Sequence, residues 1–528
     1  MSGATSGTAA ETLPAASAWT TLTVPPFACA GVSVAVKLPS AATVAVPITT
    51  FAASRTVTVA PASPGLGVSP TQGTWVVTSY SVAEAVCVPL TGWLVRRFGT
   101  IRVFMAAMIG FAVFSGLCGL APTLGSMVAF RIGQGFCGGP LMPLTQTLLL
   151  TIFPPKQRAA AMGAWAMTTV TAPILGPILG GTISDNWSWP WIFYINLPIA
   201  IFCIIGVFTL LRQAETKTEI VPIDRVGLIL MVVWIAALQV MLDLGREYDW
   251  FGSSFIVGCA VIAAIGFATF MAWELTERNP IVDLRVFRHR GFSVAVAALA
   301  FSFGTFFASV VIIPQWLQST MGYTATDAGY VTAFNGVLAV IFSPIVAKLS
   351  NKVDPRALVC FGIFWLGLTS VLRTFWFSGA DFWILAAPQL VQGLGMPFFF
   401  IPLTIIALGA VDPEETASAA GVMSFLRTLA AAIGTSIGST LWQNGAQQNR
   451  AELTNVLNGS DQVIATMTQR GFSAEQGRGM IERLVEQESF ALATNHIFAL
   501  AAVIFFASAA IIWLAPRPAR PVDASAAH

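Results

Sequence analysis

From residue 74 onward the chain is a series of apolar stretches, each long enough to cross a lipid bilayer as one helix. A helical span needs about 20 apolar residues. The stretches lie near residues 74–95, 102–121, 127–150, 159–183, 191–211, 225–244, 253–273, 292–317, 325–348, 356–376, 384–409, 417–441 and 491–514. This pattern predicts an all-α polytopic membrane protein.

The composition agrees with this prediction. Of 528 residues, 55% are hydrophobic and 10% charged, with a mean hydropathy of +0.75, which excludes a water-soluble globule. A net charge of +2 provides no field that could hold a nucleic acid. The seven cysteines lie singly and the three histidines are scattered, so neither a disulfide framework, a metal site nor an enzyme's catalytic cluster is predicted. No ATP-binding loop occurs and no cofactor is expected.

Basic residues are concentrated in the short loops on one side of the predicted spans. If the span 74–95 runs inward, that side holds Arg96, Arg97, Arg102, Lys156, Arg158, Arg212, Lys217, Arg225, Arg278, Arg285, Arg288, Arg290, Lys348, Lys352, Arg356, Arg517 and Arg520. The opposite short loops hold only Arg246 and Arg373. The positive-inside rule therefore places the first set in the cytoplasm, beneath a bacterial inner membrane. Both termini are cytoplasmic if a further span forms before residue 74.

An internal repeat predicts how the spans are grouped. The stretch PLTGWLVRRFGTIR, which begins at Pro89, is echoed by PIVAKLSNKVDPR, which begins at Pro344. At nearly the same offset of about 255 residues, GQGFCGGPLMPLT is echoed by VQGLGMPFFFIPLT. Two same-direction six-helix bundles with an inserted pair of helices fit this spacing.

The predicted division of the chain follows from that repeat. It comprises an atypical N-terminal segment (1–66), a first bundle (67–211), an inserted helix pair with a cytoplasmic loop (212–290), a second bundle (291–516) and a cytoplasmic tail (517–528). Within the second bundle, the polar segment 442–490 carries intermittent apolar residues that predict amphipathic helices outside the membrane. A solvated loop with no role of its own is the alternative.

Four motifs carry a resemblance to a known family: GWLVRRFGTIR from Gly92, RIGQG from Arg131, GPILGG from Gly176 and ELTERNPIVDL from Glu274. Together they resemble the major facilitator superfamily, and within it the 14-span drug:proton antiporters of the EmrB and QacA type. The resemblance implies the major facilitator fold. It also implies a conformational motif made of Gly92, Arg96, Arg97, Gly99, Arg102, Gln134 and Gly135. An exporter motif, associated with efflux rather than uptake, is implied at Pro173, Gly176, Pro177, Gly180 and Gly181.

Each motif also has a physical interpretation. In segment 92–102, a glycine permits two spans to approach closely, while the arginines can bind carboxylates or helix C-termini in only one conformation. The alternative is simple anchoring at the membrane surface. The acidic residue that the family carries in this loop is missing here. The glycines and prolines of the exporter motif favour close packing and a kink, and packing alone is the alternative role.

Two ionisable residues lie deep within predicted spans, Glu84 in 74–95 and Arg131 in 127–150. A charge at bilayer depth costs at least about 2.5 kcal/mol, so it usually has a function or a partner. A carboxylate whose surroundings alternate with conformation can load a proton on one side and release it on the other. We therefore predict Glu84 and Arg131 as the proton-coupling residues, with a structural role as the alternative. Arg427 is predicted to be a helix-end or cavity-lining charge.

Residues 1–66 depart from the family pattern. The family's first span contains an Asp, whereas this chain has no acidic residue between Glu11 and Glu84. The first-span proton carboxylate therefore has no counterpart. We expect a stretch near 27–46 to insert nevertheless and complete fourteen spans. A reading-frame error or divergence at the N-terminus would explain the abrupt start of the resemblance.

The resemblance implies proton-driven multidrug efflux by alternating access between the two bundles. The expected partners are hydrophobic or cationic drugs, protons and the lipid bilayer. A periplasmic adaptor and an outer-membrane channel are implied by resemblance to EmrB-type members. Two alternatives remain open: a dedicated exporter of a metabolite such as a siderophore, and an inactive or uncoupled relic that has lost the first-span carboxylate.

Overall fold

The structure is a computed structural model that describes most of the chain from residue 70 onward. The described residues are 70–154, 161, 165, 176, 179, 182–183, 187–211, 215–219, 222–245, 247–278, 280–350, 352–412, 415–456, 464, 468–469 and 472–517. The predicted N-terminal segment 1–66 and most of the predicted span 159–183 lie outside these residues.

Within the described residues, the fold is built from α-helices with three short 3-10 turns and no strands. The helices are α1 (Pro70–Phe98), α2 (Thr100–Gly119), α3 (Leu124–Gly138), α4 (Leu141–Ile152), α5 (Trp191–Tyr194), α6 (Asn196–Leu210), α7 (Arg225–Leu244), α8 (Ser254–Thr276), α9 (Arg290–Ser319), α10 (Ala325–Leu349), α11 (Pro355–Arg373), α12 (Phe382–Gly409), α13 (Thr416–Val456) and α14 (Ala474–Ile511). Ten described helical segments are long and apolar enough to cross a membrane. The predicted all-α membrane fold is confirmed.

Two predicted spans are each interrupted once. The span 127–150 consists of α3 and α4, which are separated by Gly139 and Pro140. Proline has no backbone N–H to continue a helical hydrogen-bond ladder, so this break is expected from its chemistry. The span 191–211 consists of the short α5 and of α6, with Ile195 between them.

Polar side chains mark where several helices begin. The side chain of Thr123 accepts a hydrogen bond from the backbone N–H of Ser126, and the Ser126 side chain accepts one from the backbone N–H of Thr123, forming a capping box before α3. Asp224 accepts from the N–H groups of Val226 and Gly227 at the start of α7. Such caps satisfy N–H groups that a helix leaves without internal acceptors.

The helices form two similar halves. In the first half, α3 packs against α1 and α2, and in the second half, α12 packs against α10 and α11. Helix α13 of the second half contacts α1 and α4 of the first and so joins the halves. The inserted pair, α7 and α8, packs together, and α7 also contacts α1 and α13.

The repeat recurs in the closest helix contacts. A Cβ placed on Gly135 would lie 2.3 Å from the carbonyl oxygen of Tyr80, and one on Gly393 would lie 2.2 Å from that of Asn335. Tyr80 and Asn335 are separated by about 255 residues, the offset of the sequence repeat. A glycine therefore permits close contact between α1 and α3 in the first half and between the equivalent helices, α10 and α12, in the second.

Segment 442–490 contributes to two long helices. Helix α13 has 41 residues and α14 has 38, so at 1.5 Å per residue each is roughly 60 Å long, about twice the hydrocarbon thickness of a bilayer. Their extensions pack together: Asn449 donates to the carbonyl of Ser489 at 3.1 Å, and Arg450 forms an ion pair with Glu482 at 2.6 Å. The apolar faces in this segment thus belong to helices that continue the spans.

Candidate functional site

Arg131 is a buried cation at the contact between α1 and α3. Its side chain is 5% exposed. Its Nε donates to the carbonyl of Val76 at 3.1 Å, and its Nη1 donates to Oε1 of Gln134 at 2.9 Å. The guanidinium carbon lies 4.4 Å from the centre of the Tyr80 ring, a distance at which the ring face attracts a cation. The Arg131 side chain therefore contacts α1 at two points, the backbone carbonyl of Val76 and the ring of Tyr80.

Gln134 and Gly135, both predicted members of the conformational motif, determine how Arg131 is placed. Gln134 is buried one turn along α3, and its Oε1 also lies 3.7 Å from the Cys118 thiol. Gly135 leaves room for the Tyr80 carbonyl, because any larger residue would meet it at 2.3 Å. The predicted RIGQG motif thus provides a charge, an acceptor for it and a close helix approach.

Glu84, the predicted proton carboxylate, lies on the same helix as these Arg131 contacts. It is half-buried, and it follows Val76 and Tyr80 at four-residue intervals along one face of α1. Its carbonyl oxygen would lie 2.9 Å from a Cβ at Gly139, so its backbone also faces the α3 side. Along α1 it is roughly 12 Å from Val76. Its proton-coupling role with Arg131 stays a prediction.

Arg427 lies where the two halves meet. It is 4% exposed, on α13, and its Nη2 lies 2.7 Å from the sulfur of Met142 on α4. Its guanidinium carbon is 5.2 Å from the ring centre of Trp165 and 5.6 Å from that of Phe303. Met142 and Trp165 belong to the first half and Phe303 to the second. Arg427 is therefore a buried charge between aromatic faces, well inside its helix rather than at an end.

The predicted loop motif between α1 and α2 is held by a later segment of the chain. Arg96 and Arg97 form the last turn of α1, and Gly99 adopts a φ of 90°, a left-handed conformation that favours glycine. Glu215 then accepts hydrogen bonds from the backbone N–H of Ile101 at 2.9 Å and of Arg102 at 3.1 Å. A carboxylate at a helix N-terminus is electrostatically favourable.

Segment 215–219 also makes backbone and hydroxyl contacts to the same motif. The N–H of Glu219 donates to the carbonyl of Arg96 at 2.8 Å, and the N–H of Thr100 donates to the Thr216 hydroxyl at 3.0 Å. Sequence reasoning missed Glu215. The loop motif lacks its own acidic residue, and an acidic residue beside Lys217 in a basic loop was the available signal.

Gly92, at the start of the loop motif, lies against the other half of the molecule. A Cβ on Gly92 would lie 3.1 Å from the Cα of Ser418 on α13. This is tighter than ordinary van der Waals contact, so glycine is needed for the approach. The motif therefore combines the tight contact of α1 with α13 and the Glu215 cap of α2 at one end of the bundle.

A second polar cluster lies at the same end, between α9 and the α12–α13 connection. Arg288 Nη2 is 2.9 Å from Oδ2 of Asp412 and 2.9 Å from Oε1 of Glu415, and His289 Nε2 is 2.9 Å from Oε2 of Glu415. Sequence spacing predicted neither a metal site nor a catalytic cluster around a histidine, and this stays a prediction. The ion pairs of His289 and Arg288 form because the fold brings together residues far apart in the chain. The His289, Asp412 and Glu415 ligand atoms lie within 4.8 Å of one another, although Arg288 already contacts both carboxylates.

Arg373 lies within the predicted span 356–376 but was counted among the short-loop residues, and the loop position is wrong. It forms the last turn of α11 and is 0% exposed. Its Nη2 donates to Oε1 of Gln389 at 2.7 Å and also to Oε1 of Gln392. The apolar run ends near residue 376, and hydropathy could not distinguish a buried arginine from one in the following loop.

The exporter motif lies mostly outside the described residues. Of its five predicted residues, the structure describes only Gly176, which is helical and half-buried. Pro173, Pro177, Gly180 and Gly181 are not among the described residues. Their predicted part in packing and efflux stays a prediction.

Known proteins resemble this chain in both sequence and fold. Residues 38–435 match the Major Facilitator Superfamily. The "Multidrug export protein EmrB" of Escherichia coli K12 is 40% identical over 458 residues, which are 86% of this chain and 90% of that protein. The "Fatty acid resistance protein FarB" of Neisseria gonorrhoeae is 41% identical over 457 residues, again 86% and 90%.

Among solved structures, the human organic anion transporter MFSD10 (TETRAN) matches with a TM-score of 0.56 at 14% identity, covering 90% of this chain and 100% of that one. A bacterial homolog of the human lysosomal transporter Spinster, in an inward-facing and unoccupied conformation, matches with a TM-score of 0.53 at 14% identity, covering 91% and 98%. At this identity, the structural likeness shows the fold alone.

Proposed function

The chain belongs to the Major Facilitator Superfamily as an EmrB-type, multi-pass membrane transporter, and from this premise we propose that it exports hydrophobic or cationic drugs in exchange for protons. The observation that carries the proposal is the 40% identity to EmrB over 86% of this chain. Identity across so much of the chain supports a shared transport activity better than a shared fold alone would.

Proton coupling is assigned to Glu84 and Arg131. Arg131 is buried against α1, and Glu84 lies two turns further along the same face of that helix. A movement of α1 against α3 would change the surroundings of both side chains. One proton crossing a potential of about 100 mV releases about 2.3 kcal/mol. That energy sustains a drug gradient of about fifty-fold.

Alternating access is assigned to separation and closure at the junction of the two halves. The contact of Gly92 with Ser418 and the Glu215 cap lie at one end of this junction, and Arg427 lies further inside it. In our proposal, the end containing Gly92 opens to admit a drug and closes before the drug leaves on the other side. The exporter motif at 173–181 would provide part of the moving interface.

The proposed location is the bacterial inner membrane, with the loop motif and both termini in the cytoplasm. The distribution of basic loop residues supports this orientation. The extensions of α13 and α14 would then project into the periplasm, where an adaptor leading to an outer-membrane channel could bind. Resemblance to EmrB-type members is the reason for proposing these partners.

A second candidate substrate class is amphipathic carboxylates. The buried cation Arg427, enclosed by Trp165 and Phe303, suits a carboxylate with an apolar tail. The relative FarB is named for fatty acid resistance. A dedicated exporter of such a metabolite would use the same alternating access.

The test is drug-driven proton release in inside-out vesicles that contain the full chain. We expect ethidium to drive proton release with the parent and not with Glu84→Gln, while Glu452→Gln, on the exposed extension of α13, behaves as the parent. A decanoate arm separates the second substrate class from the first. If neither compound drives proton release in the parent, the chain is an uncoupled relic and the proposal fails.

A further inference from the structure

The side chain of Arg373 is a fully buried cation in the second half of the molecule. It is 0% exposed, and its guanidinium carbon lies 5.3 Å from the ring centre of Phe498 and 5.8 Å from that of Trp376. These walls exclude water from much of its surface. Among the residues that the structure describes, no carboxylate forms an ion pair with it.

Only one nitrogen of Arg373 has acceptors in the described chain. Nη2 donates to the side-chain oxygens of Gln389 and Gln392. Nε and Nη1 of Arg373, together with Nε2 of Gln389 and Nε2 of Gln392, are buried without an acceptor. Buried donors are normally satisfied, and a buried charge is normally paired. Asn335, whose amide donates to Gln392 at 3.1 Å, adds one buried acceptor without a donor, its Oδ1. The four donors outnumber this neutral acceptor, and the Arg373 charge has no counter-charge among the described residues, so the cluster lacks an acceptor that carries negative charge.

In the first half of the molecule, the buried Arg131 has hydrogen-bond acceptors for the nitrogens that lack them in Arg373. There, Arg131 donates from Nε to the backbone carbonyl of Val76 and from Nη1 to Gln134. In the repeat, Gln392 corresponds to Gln134 and Gln389 corresponds to Arg131, whereas Arg373 lies on α11, the counterpart of α2. The second half therefore holds its arginine from a different helix, and its Nε and Nη1 have no such acceptors.

We propose that Arg373, Gln389 and Gln392 form a binding site for a monovalent anion, either a halide or the carboxylate of an amphipathic molecule. Arg373 Nε and Nη1 would donate to the anion, and the two glutamine amides would complete its shell. Arg373 supplies one positive charge and its aromatic neighbours supply none, so a divalent anion would be buried with an uncompensated charge. Since the site is fully covered, an anion enters when α11, α12 and α14 separate, which would make binding sensitive to conformation.

The test uses the purified full chain in detergent and its melting temperature. In sodium chloride or bromide, compared with sodium gluconate at equal ionic strength, we expect a rise of about 2 °C. Arg373→Gln should abolish the rise, and Arg478→Gln, an exposed arginine on α14, should retain it. Decanoate added in gluconate distinguishes the carboxylate from the halide: a rise only with decanoate assigns the site to carboxylates.

A second variant tests the proposal even if Arg373→Gln fails to fold. Gln389→Glu places a carboxylate 16 residues from Arg373 in sequence and within hydrogen-bond reach of it. This internal anion should raise the melting temperature in gluconate and remove the response to halide and decanoate. If the parent responds to neither anion, or if Gln389→Glu lowers the melting temperature, the anion site is refuted. Because no step depends on transport, failure here is distinguishable from failure of the drug-export proposal.

Discussion

Glu215 caps α2 from 114 residues away, with its Oε1 accepting the backbone N–H of Ile101 at 2.9 Å. The loop motif 92–102 has no acidic residue of its own, so the carboxylate that caps α2 comes from a later segment of the chain. Its position after α6 ties the end of the first half to the turn between α1 and α2. Loss of this cap should therefore destabilise the conformation in which Glu215 contacts the loop.

Replacing Glu215 should weaken transport without abolishing folding. Glu215→Ala removes two backbone hydrogen bonds at a helix N-terminus, a loss of about 1 kcal/mol, which is about a fivefold shift between conformations. We expect drug-driven proton release to slow by a similar factor. Glu219→Ala is the matched control, because Glu219 contacts the motif through its backbone N–H. Equal rates for both variants would show that the cap has no part in the cycle.

Adding one methyl group at Gly135 should displace Arg131. The new Cβ would lie 2.3 Å from the Tyr80 carbonyl, so α1 and α3 must separate, at a cost of about 1–3 kcal/mol. We expect Gly135→Ala to lower the melting temperature and the transport rate. Gly125→Ala on the same helix meets nothing within 4 Å and should do neither. A stable and active Gly135→Ala would mean that the close approach is unnecessary.

Sequence patterns predict the helices of this protein better than its polar contacts. The span predicted at 225–244 coincides with α7 (Arg225–Leu244), because the bilayer imposes a length and an apolar character that can be recognised in the sequence. The motif RIGQG singled out Arg131, Gln134 and Gly135, and the fold brings all three to the contact between α1 and α3. Their role in transport stays a prediction.

Contacts between distant segments could not be predicted in the same way. The contacts of Glu215 depend on which loop packs against the motif, and the burial of Arg373 depends on the rotation of its helix. In spans this apolar, periodicity does not separate core-facing from lipid-facing residues. Arg373 is adjacent to a polar loop in sequence, and only the packing of α12 and α14 buries it.

Acid should loosen the contact between the start of α11 and the end of α14 through Asp354. This residue precedes α11, and its hydrogen bond from Arg356 holds the pKa of its carboxyl below the usual value of 3.8. A lowered folded-state pKa adds stability above the unfolded value, and that stability is lost as the pH falls through the folded value. Arg356 also donates to the carbonyl of Ala515 at 3.0 Å, so the loss reaches α14.

The measurement for Asp354 is the melting temperature from pH 7 to pH 3. We expect Asp354→Asn to melt lower than the parent at pH 7 and to converge with it toward pH 3. Asp381→Asn is the control, because Asp381 also precedes a helix but makes no side-chain cap hydrogen bond. A constant difference between parent and Asp354→Asn across this range would contradict the predicted linkage.

Arg427 should determine whether the transporter prefers anionic or cationic amphipathic substrates. Its guanidinium lies between Trp165 and Phe303 at the junction of the halves, so a cationic drug bound there is repelled while a carboxylate is attracted. Arg427→Met keeps a long side chain and removes the charge. We expect it to reduce decanoate export at least tenfold, since a charge-assisted hydrogen bond contributes about 1.5–3 kcal/mol. Ethidium export should be unchanged or faster. Arg427→Lys keeps the charge and should retain part of the decanoate transport. An equal loss for both compounds would instead assign Arg427 to the moving interface between the halves, with no part in choosing the substrate.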